Sequence, residues 1–230
     1  MKPKIFYRST LPHLTPVGAS FFVTFRLADA LPQNVIRVMK WELDKKIASL
    51  KEEKPKNYLQ LIRDEKKRFF GKYDHQLDKQ PFGGCALKKP VIAEIVANHL
   101  LKYDNDRYEL IAYCIMPNHV HMLINTEIQI TDYVEINGRK LPFLVDEIPE
   151  NFTELHEIMR RIKGASAYSC NQELGKKGRF WQRDSYDHYI RNEKEWTNIF
   201  WYILNNPVKA KLVNNWEDWK HTYVSPKLYR

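Results

Sequence analysis

The chain has 230 residues and a mass of 27.5 kDa, enough for one well-buried core with insertions, and its 43% hydrophobic and 28% charged residues exclude extensive disorder. A formal charge of +9 and a sequence pI near 9.3 suit a polyanion or an anionic membrane surface, although a merely solvated basic face has the same composition. Cys85, Cys114 and Cys170 form no CxxC pair, which excludes a disulfide framework or a cysteine zinc site, and no run approaches the ~18 apolar residues that span a bilayer.

The leader MKPKIFYRSTLPH lacks the apolar core of a signal peptide, so a reducing cytoplasm and no membrane partner are expected. Gly18 to Asp29 alternates and carries β-formers, with Phe21 and Val23 on one side and Phe22 and Thr24 on the other. Two apolar faces place that strand centrally. Val35 to Tyr73 shows Lys, Glu, Leu and Ile at helical spacing broken at Pro55, which predicts two charged helices on the periphery. Pro81 to Ala86, with Gly83 and Gly84, reads as a turn before a core helix over Pro90 to Asp104 with Ile92, Ile95, Val96 and Leu100 on one stripe.

Arg107 to Met116 and His119 to Asn125 are apolar strands separated by Pro117 and Asn118, a tight antiparallel hairpin. Thr126 to Asn151 has few periodic apolar positions and holds the hairpin signal Asn137-Gly138, so an exposed loop excursion is expected there. Phe152 to Leu174 reads as a helix with Leu155, Ile158, Met159 and Ile162 inward, ended by Gly175 to Gly178. Arg179 to Tyr189 alternates aromatic and polar residues, and Asn192 with Glu195 forms a capping box for a helix running to about Asn205, where Pro207 stops it. The order predicts an α+β, ferredoxin-like antiparallel sheet with helices packed on one face. We read residues 1–230 as one domain with a charged helical insertion at about 33–80 and a loop insertion at about 126–151.

The hairpin carries the chemistry. In CIMPNHVHMLI, alternation turns His119 and His121 to one face with Val120 between them, half of a divalent-metal site. In WYILNNPV, Tyr202 and Asn206 are four apart and share a helix face, so a carboxamide can complete the site beside a phenol. A phenol, with pKa about 10, attacks phosphorus poorly at neutral pH unless a metal such as Mg²⁺ or Mn²⁺ draws charge from the phosphate. Singly, these residues have plainer readings: a hydrogen-bonded core histidine, a half-buried tyrosine, an asparagine at a helix end. Their combination is what points to transesterification through Tyr202 with His119, His121 and Asn206 at the metal.

Arg160, Arg161 and Lys163, then Arg179, Trp181 and Arg183, and later Arg191, interleave basic and aromatic character in the way that tracks phosphates and stacks bases. Core aromatics and a solvated arginine face are the plain alternative.

CIMPNHVHMLI, WQRDSYDHYIRNE and YILNNPVKAKLV resemble, in order and spacing, the HUH single-tyrosine transposases, especially the REP-associated tyrosine transposases. The resemblance covers most of Tyr103 to Trp219 and the first strand. It implies that His119 and His121 bind the metal, that Asn206 stands at the position of a third ligand, and that Tyr202 cleaves single-stranded or hairpin DNA to give a 5′-phosphotyrosine. It also implies a cytoplasmic, nucleoid-associated protein acting as a monomer or homodimer. The insertions exceed the minimal family domain, and Lys211 stands where related proteins often have Gly. Two rival readings are a non-catalytic DNA-binding protein of the same fold and a metal hydrolase, the latter disfavoured because no acidic residue is evident near the histidines.

Overall fold

The structure, a computed structural model, describes residues 6–8, 12–79, 83–130, 133–136, 139–142, 149 and 151–229. Its strands are β1 (Phe6–Arg8), β2 (Pro12–Leu14), β3 (Ser20–Arg26), β4 (Glu109–Ile115), β5 (His119–Asn125), β6 (Tyr133–Ile136), β7 (Arg139–Pro142), β8 (Tyr186–Tyr189) and β9 (Thr222–Val224). Its helices are α1 (Gln33–Glu53), α2 (Tyr58–Lys79), α3 (Pro90–Leu101), α4 (Leu155–Glu173), α5 (Glu193–Leu204) and α6 (Asn206–Lys209).

The central sheet has the order β8-β3-β5-β4-β9 and is antiparallel throughout. Read as β3-α3-β4-β5-α4-β8, this is the ferredoxin-like succession of strand, helix, hairpin, helix and strand that the sequence predicts. β5 is the middle strand, paired from Arg26↔His119 to Ser20↔Asn125 on β3 and from Glu109↔Asn125 to Ile115↔Val120 on β4. The edge strand β9, beside β4, is an addition that three residues of alternating pattern could not announce.

Both faces of β3 and β5 are apolar, and both are covered. Phe21, Val23 and Phe25 with Val120, Met122 and Ile124 pack under α3 and α4, as the inward stripes of those helices require. On the other face Phe22 and Leu123 pack under Ile203 and Leu204 of α5. Helices therefore lie on both sides of the sheet: α3 and α4 share the expected face, and α5 takes the second because Phe22 and Leu123 would otherwise meet water.

The charged helices form as expected, α1 ending where Lys54 turns left-handed ahead of Pro55. Their peripheral placement holds for α1 but not for the last turns of α2. There Leu77 is in the core, Phe70 packs edge-on against Phe22 at 5.4 Å, and Asp74 is wholly buried.

At the C-terminal end Asn192 Oδ1 caps α5 by accepting from the Glu195 amide at 2.9 Å. Pro207 does not stop the chain but sits in the first turn of α6, where its missing N–H costs nothing. Lys211 adopts φ 57, the left-handed conformation that glycine fills most easily. β6 and β7 pair as the Asn137-Gly138 signal predicts, although the turn residues 137 and 138 lie outside the described residues, as do 81 and 82 of the predicted Pro81 turn. Among the described residues no helix is long and apolar enough to cross a membrane.

Candidate metal and tyrosine site

His119 and His121 are both fully buried on the α5 face of β5, and their Nε2 atoms lie 3.0 Å apart. Asn118 fixes the first ring. Its Nδ2 donates to the Leu77 carbonyl at 3.1 Å, so its Oδ1 faces His119 Nδ1 at 2.7 Å and accepts a hydrogen bond from the ring N–H. The His119 Nε2 lone pair therefore points into the site. His121 Nδ1 is held by Thr24 Oγ1 at 2.7 Å, from the register position opposite on β3, and Phe22 stacks on the ring at 5.5 Å.

The sequence reading missed the third member. Asp74 of α2 lies with Oδ1 3.2 Å from His121 Nε2 and 4.0 Å from His119 Nε2. The ligand atoms of Asp74, His119 and His121 lie within 4.8 Å of one another, and all three residues are buried. The signal was a stripe: Phe70, Asp74, Leu77 and Asp78 recur at helical spacing, so the carboxylates fall on the one apolar face of a charged helix.

Tyr202 and Asn206 reach the same place from α5 and α6. The Tyr202 phenol donates to Asp74 Oδ2, and its ring lies 5.6 Å from that of His121. Asn206 Nδ2 is 3.2 Å from His121 Nε2, so the amide end meets the imidazoles as expected, with nitrogen rather than oxygen facing them. A half-turn of the amide presents Oδ1 instead. Lys209 Nζ lies 3.0 Å from Asp74 Oδ2 and 3.0 Å from Asp78 Oδ2.

A divalent cation fits these residues. Asn118 leaves His119 Nε2 as an acceptor, Thr24 holds His121 by its other nitrogen, and Asp74 Oδ1 is buried beside them without a hydrogen-bond partner. Converging buried lone pairs call for a cation among them. Electrostatics agrees: burial, reinforced by His121, pushes the His119 pKa down to about 3, so that ring is neutral and free to ligate at neutral pH. Burial works against the Asp74 charge, yet His121, His119 and the Tyr202 phenol hold its pKa well below the ordinary carboxylate range. Burial and then the Asp74 charge push Tyr202 above an ordinary phenol, so it stays protonated with Asp74 Oδ2 as its acceptor.

The predicted DNA contacts are not gathered at this site. Trp181 is a correction: it is 4% exposed, edge-on to Phe25 at 4.8 Å, and its indole N–H donates to Ser166 Oγ at 2.9 Å, so it belongs to the core and offers no face to a base. Lys163 is also turned inward, donating to the Arg183 carbonyl at 2.7 Å and to Ser185 Oγ at 3.1 Å. Arg160 and Arg161 are exposed on α4, on the face of the sheet opposite the imidazoles, and both pair with Glu157, at 2.7 and 2.8 Å. Arg179 and Arg183 are exposed before β8, and Arg191 is exposed just after it, its guanidinium lying over Tyr189 at 5.4 Å.

No family model matches the chain. Over 115 residues, half of this chain and 58% of the relative, it is 27% identical to a Haemophilus influenzae protein named "Putative REP-associated tyrosine transposase". Over 98 residues it is 33% identical to an uncharacterized protein of the same organism, covering 52% of that relative. A REP-associated tyrosine transposase of Escherichia coli K12 is 24% identical over 141 residues, 59% of this chain and 69% of that protein. The chain thus spans little more than half the length of the first two curated relatives. Among solved structures, a REP-associated tyrosine transposase bound to a REP hairpin shares the fold, with a TM-score of 0.50 and 18% identity over 94% of this chain and 80% of that one.

Proposed function

Because the chain is of the REP-associated tyrosine transposase type, we propose that it nicks and rejoins single-stranded, hairpin-associated DNA through Tyr202, with His119, His121 and Asp74 holding Mg²⁺ or Mn²⁺ and Asn206 beside them. The observation that carries this reading is that one buried carboxylate serves both halves of the site. Asp74 Oδ1 faces the two imidazoles while Oδ2 accepts from the Tyr202 phenol. A bound divalent ion would draw charge from the phosphodiester and stabilise the charge that develops there.

The chain's own groups account for the rest. Asn118 and Thr24 orient the two rings, and the Phe22 ring, edge-on to Tyr202 at 5.8 Å, limits where the phenol can swing. On attack the Tyr202 Oη–phosphorus bond forms and the bond from phosphorus to the 3′-oxygen breaks. The phenolic proton passes to Asp74 Oδ2, and the departing 3′-oxygen takes a proton from water, leaving the 5′-phosphate on the tyrosine. The exposed arginines Arg179, Arg183 and Arg191, and those of α4, serve as phosphate contacts outside the site, and the protein works in the cytoplasm as a monomer or homodimer.

Tyr202→Phe removes the attacking oxygen and little else. It should abolish the covalent protein–DNA adduct on a denaturing gel while leaving hairpin binding intact, and an undiminished adduct refutes the assignment. Asp74 also gives the hydrolase reading the acid it lacked in the sequence. DNA cut by wild type with no adduct, and cut equally by Tyr202→Phe, would favour that second reading.

A further inference from the structure

We infer that Lys209 is the residue that receives the scissile phosphodiester beside Tyr202, and that Asp78 is a positioning residue that holds its ammonium in place. The inference rests on the tyrosine-nucleophile reading and adds to it a phosphate contact and an anchor.

Three observations meet here. Lys209 Nζ sits between Asp74 Oδ2 and Asp78 Oδ2, 3.0 Å from each, and lies 5.3 Å from the centre of the Tyr202 ring. Its side chain is 45% exposed while those of Asp74 and Asp78 are 0% and 6% exposed, so the ammonium is the face that this charge cluster turns to solvent. A phosphate approaching the phenol meets that cation first.

Charge gives the cation its use. Asp78 lies outside the group of residues that could hold a divalent ion, and Lys209 is the basic side chain that offsets its carboxylate where an anion would approach the phenol. Asp78 makes sense only in this light. It is not one of the three residues whose ligand atoms converge, its Oδ1 has no hydrogen-bond partner, and burial followed by the Asp74 charge raises its pKa, with Lys209 opposing the rise. Burying a carboxylate is costly, and the cation it meets is Lys209. Two anchors hold a four-carbon side chain that one would leave mobile.

The sequence builds this ridge. Tyr202, Asn206 and Lys209 are spaced four and three apart, and the chain stays helical enough across Asn205 for the Lys209 amide to donate to the Asn205 carbonyl at 2.9 Å. Asp74 and Asp78, four apart on α2, present matching acceptors.

The test compares wild type with Lys209→Ala, Lys209→Arg and the double variant Lys209→Ala/Asp78→Asn, using labelled single-stranded hairpin DNA and Mn²⁺. Adduct formation at saturating DNA, hairpin affinity and thermal stability are read on the same preparations. Loss of one charge-stabilising donor predicts that Lys209→Ala slows adduct formation by about 10²–10³-fold. Hairpin affinity should fall only as one phosphate contact among many allows. Added methylammonium should raise the Lys209→Ala rate in proportion to its concentration, and Lys209→Arg should keep part of the rate. The double variant, whose buried charge is again balanced, should regain stability without regaining the rate. An unslowed Lys209→Ala overturns the inference alone, as does a double variant with restored rate, since Lys209 would then merely offset Asp78. A wild type that forms no adduct overturns the tyrosine reading, and this inference with it.

Discussion

Replacing Asn118 with alanine separates the two jobs that one side chain performs. Its Oδ1 accepts from His119 Nδ1 at 2.7 Å and its Nδ2 donates to the Leu77 carbonyl at 3.1 Å, so the same amide orients a metal-facing ring and ties α2 to the hairpin turn. Both bonds are buried. Losing them removes about 1 kcal/mol each, and the stranded imidazole N–H and carbonyl raise the total to about 2–4 kcal/mol of stability. Loss of a group that orients a ligating histidine costs about 10–100-fold in metal affinity. At about 1.4 kcal/mol per decade that is about 1.4–2.7 kcal/mol of binding free energy.

The control is Asn118→Asp, which keeps an acceptor for His119 Nδ1 but cannot donate to the Leu77 carbonyl. Titration calorimetry with Mn²⁺ at neutral pH and denaturant unfolding of the metal-free protein should then diverge. Both variants lose stability, and only Asn118→Ala loses metal affinity. Equal Mn²⁺ affinity in wild type and Asn118→Ala would show that the Asn118 bond does not set the His119 tautomer, and the reasoning about converging lone pairs would fail with it.

Trp181→Ala should cost about 3–5 kcal/mol in urea unfolding, because it empties a buried indole site against Phe25, and the folded fraction should bind hairpin DNA as wild type does. Glu157→Gln frees Arg160 and Arg161 from their shared partner, which should tighten DNA binding at low salt and steepen its salt dependence; a filter-binding salt series with unchanged slope would remove α4 from the DNA path. Burial lowers the Lys163 pKa to about 8, with Asp184 opposing and Arg26 adding to the shift. Between pH 8 and the ordinary lysine value the unfolded chain binds the proton that the folded chain has released, so stability rises with pH in that window. The rise should be missing from Lys163→Met when its unfolding curves are compared with wild type from pH 8 to 10.

The hairpin, its two histidines and the inward stripes of α3 and α4 were legible because their signals are local: period two across Pro117-Asn118, period 3.6 elsewhere. Tyr202 and Asn206 were legible for the same reason, although the helix breaks between them and Pro207 begins a new turn instead of ending the old one. Asp74 was not, since its partners lie 128 residues away at Tyr202 and 135 away at Lys209, and α2 as a whole reads as a solvated charged helix. Only the apolar company of Phe70 and Leu77 on its face betrays it. Trp181 misled in the opposite direction. A basic, aromatic-rich string looks like a nucleic-acid surface, but the indole's polar edge is satisfied by Ser166 from α4, a contact that no spacing along the string reveals. The second helical face follows from Phe22 and Leu123, whose apolar character was visible, but which helix would cover them was not.

The most direct test is to incubate wild-type protein with end-labelled single-stranded hairpin DNA and Mn²⁺, digest any covalent adduct with protease, and locate the nucleotide-bearing peptide. The label should sit on Tyr202 and should vanish when chelator replaces Mn²⁺. A label on Tyr186 or Tyr189, or an adduct formed equally well in chelator, would contradict a site in which the Tyr202 phenol and the paired imidazoles act together through Asp74.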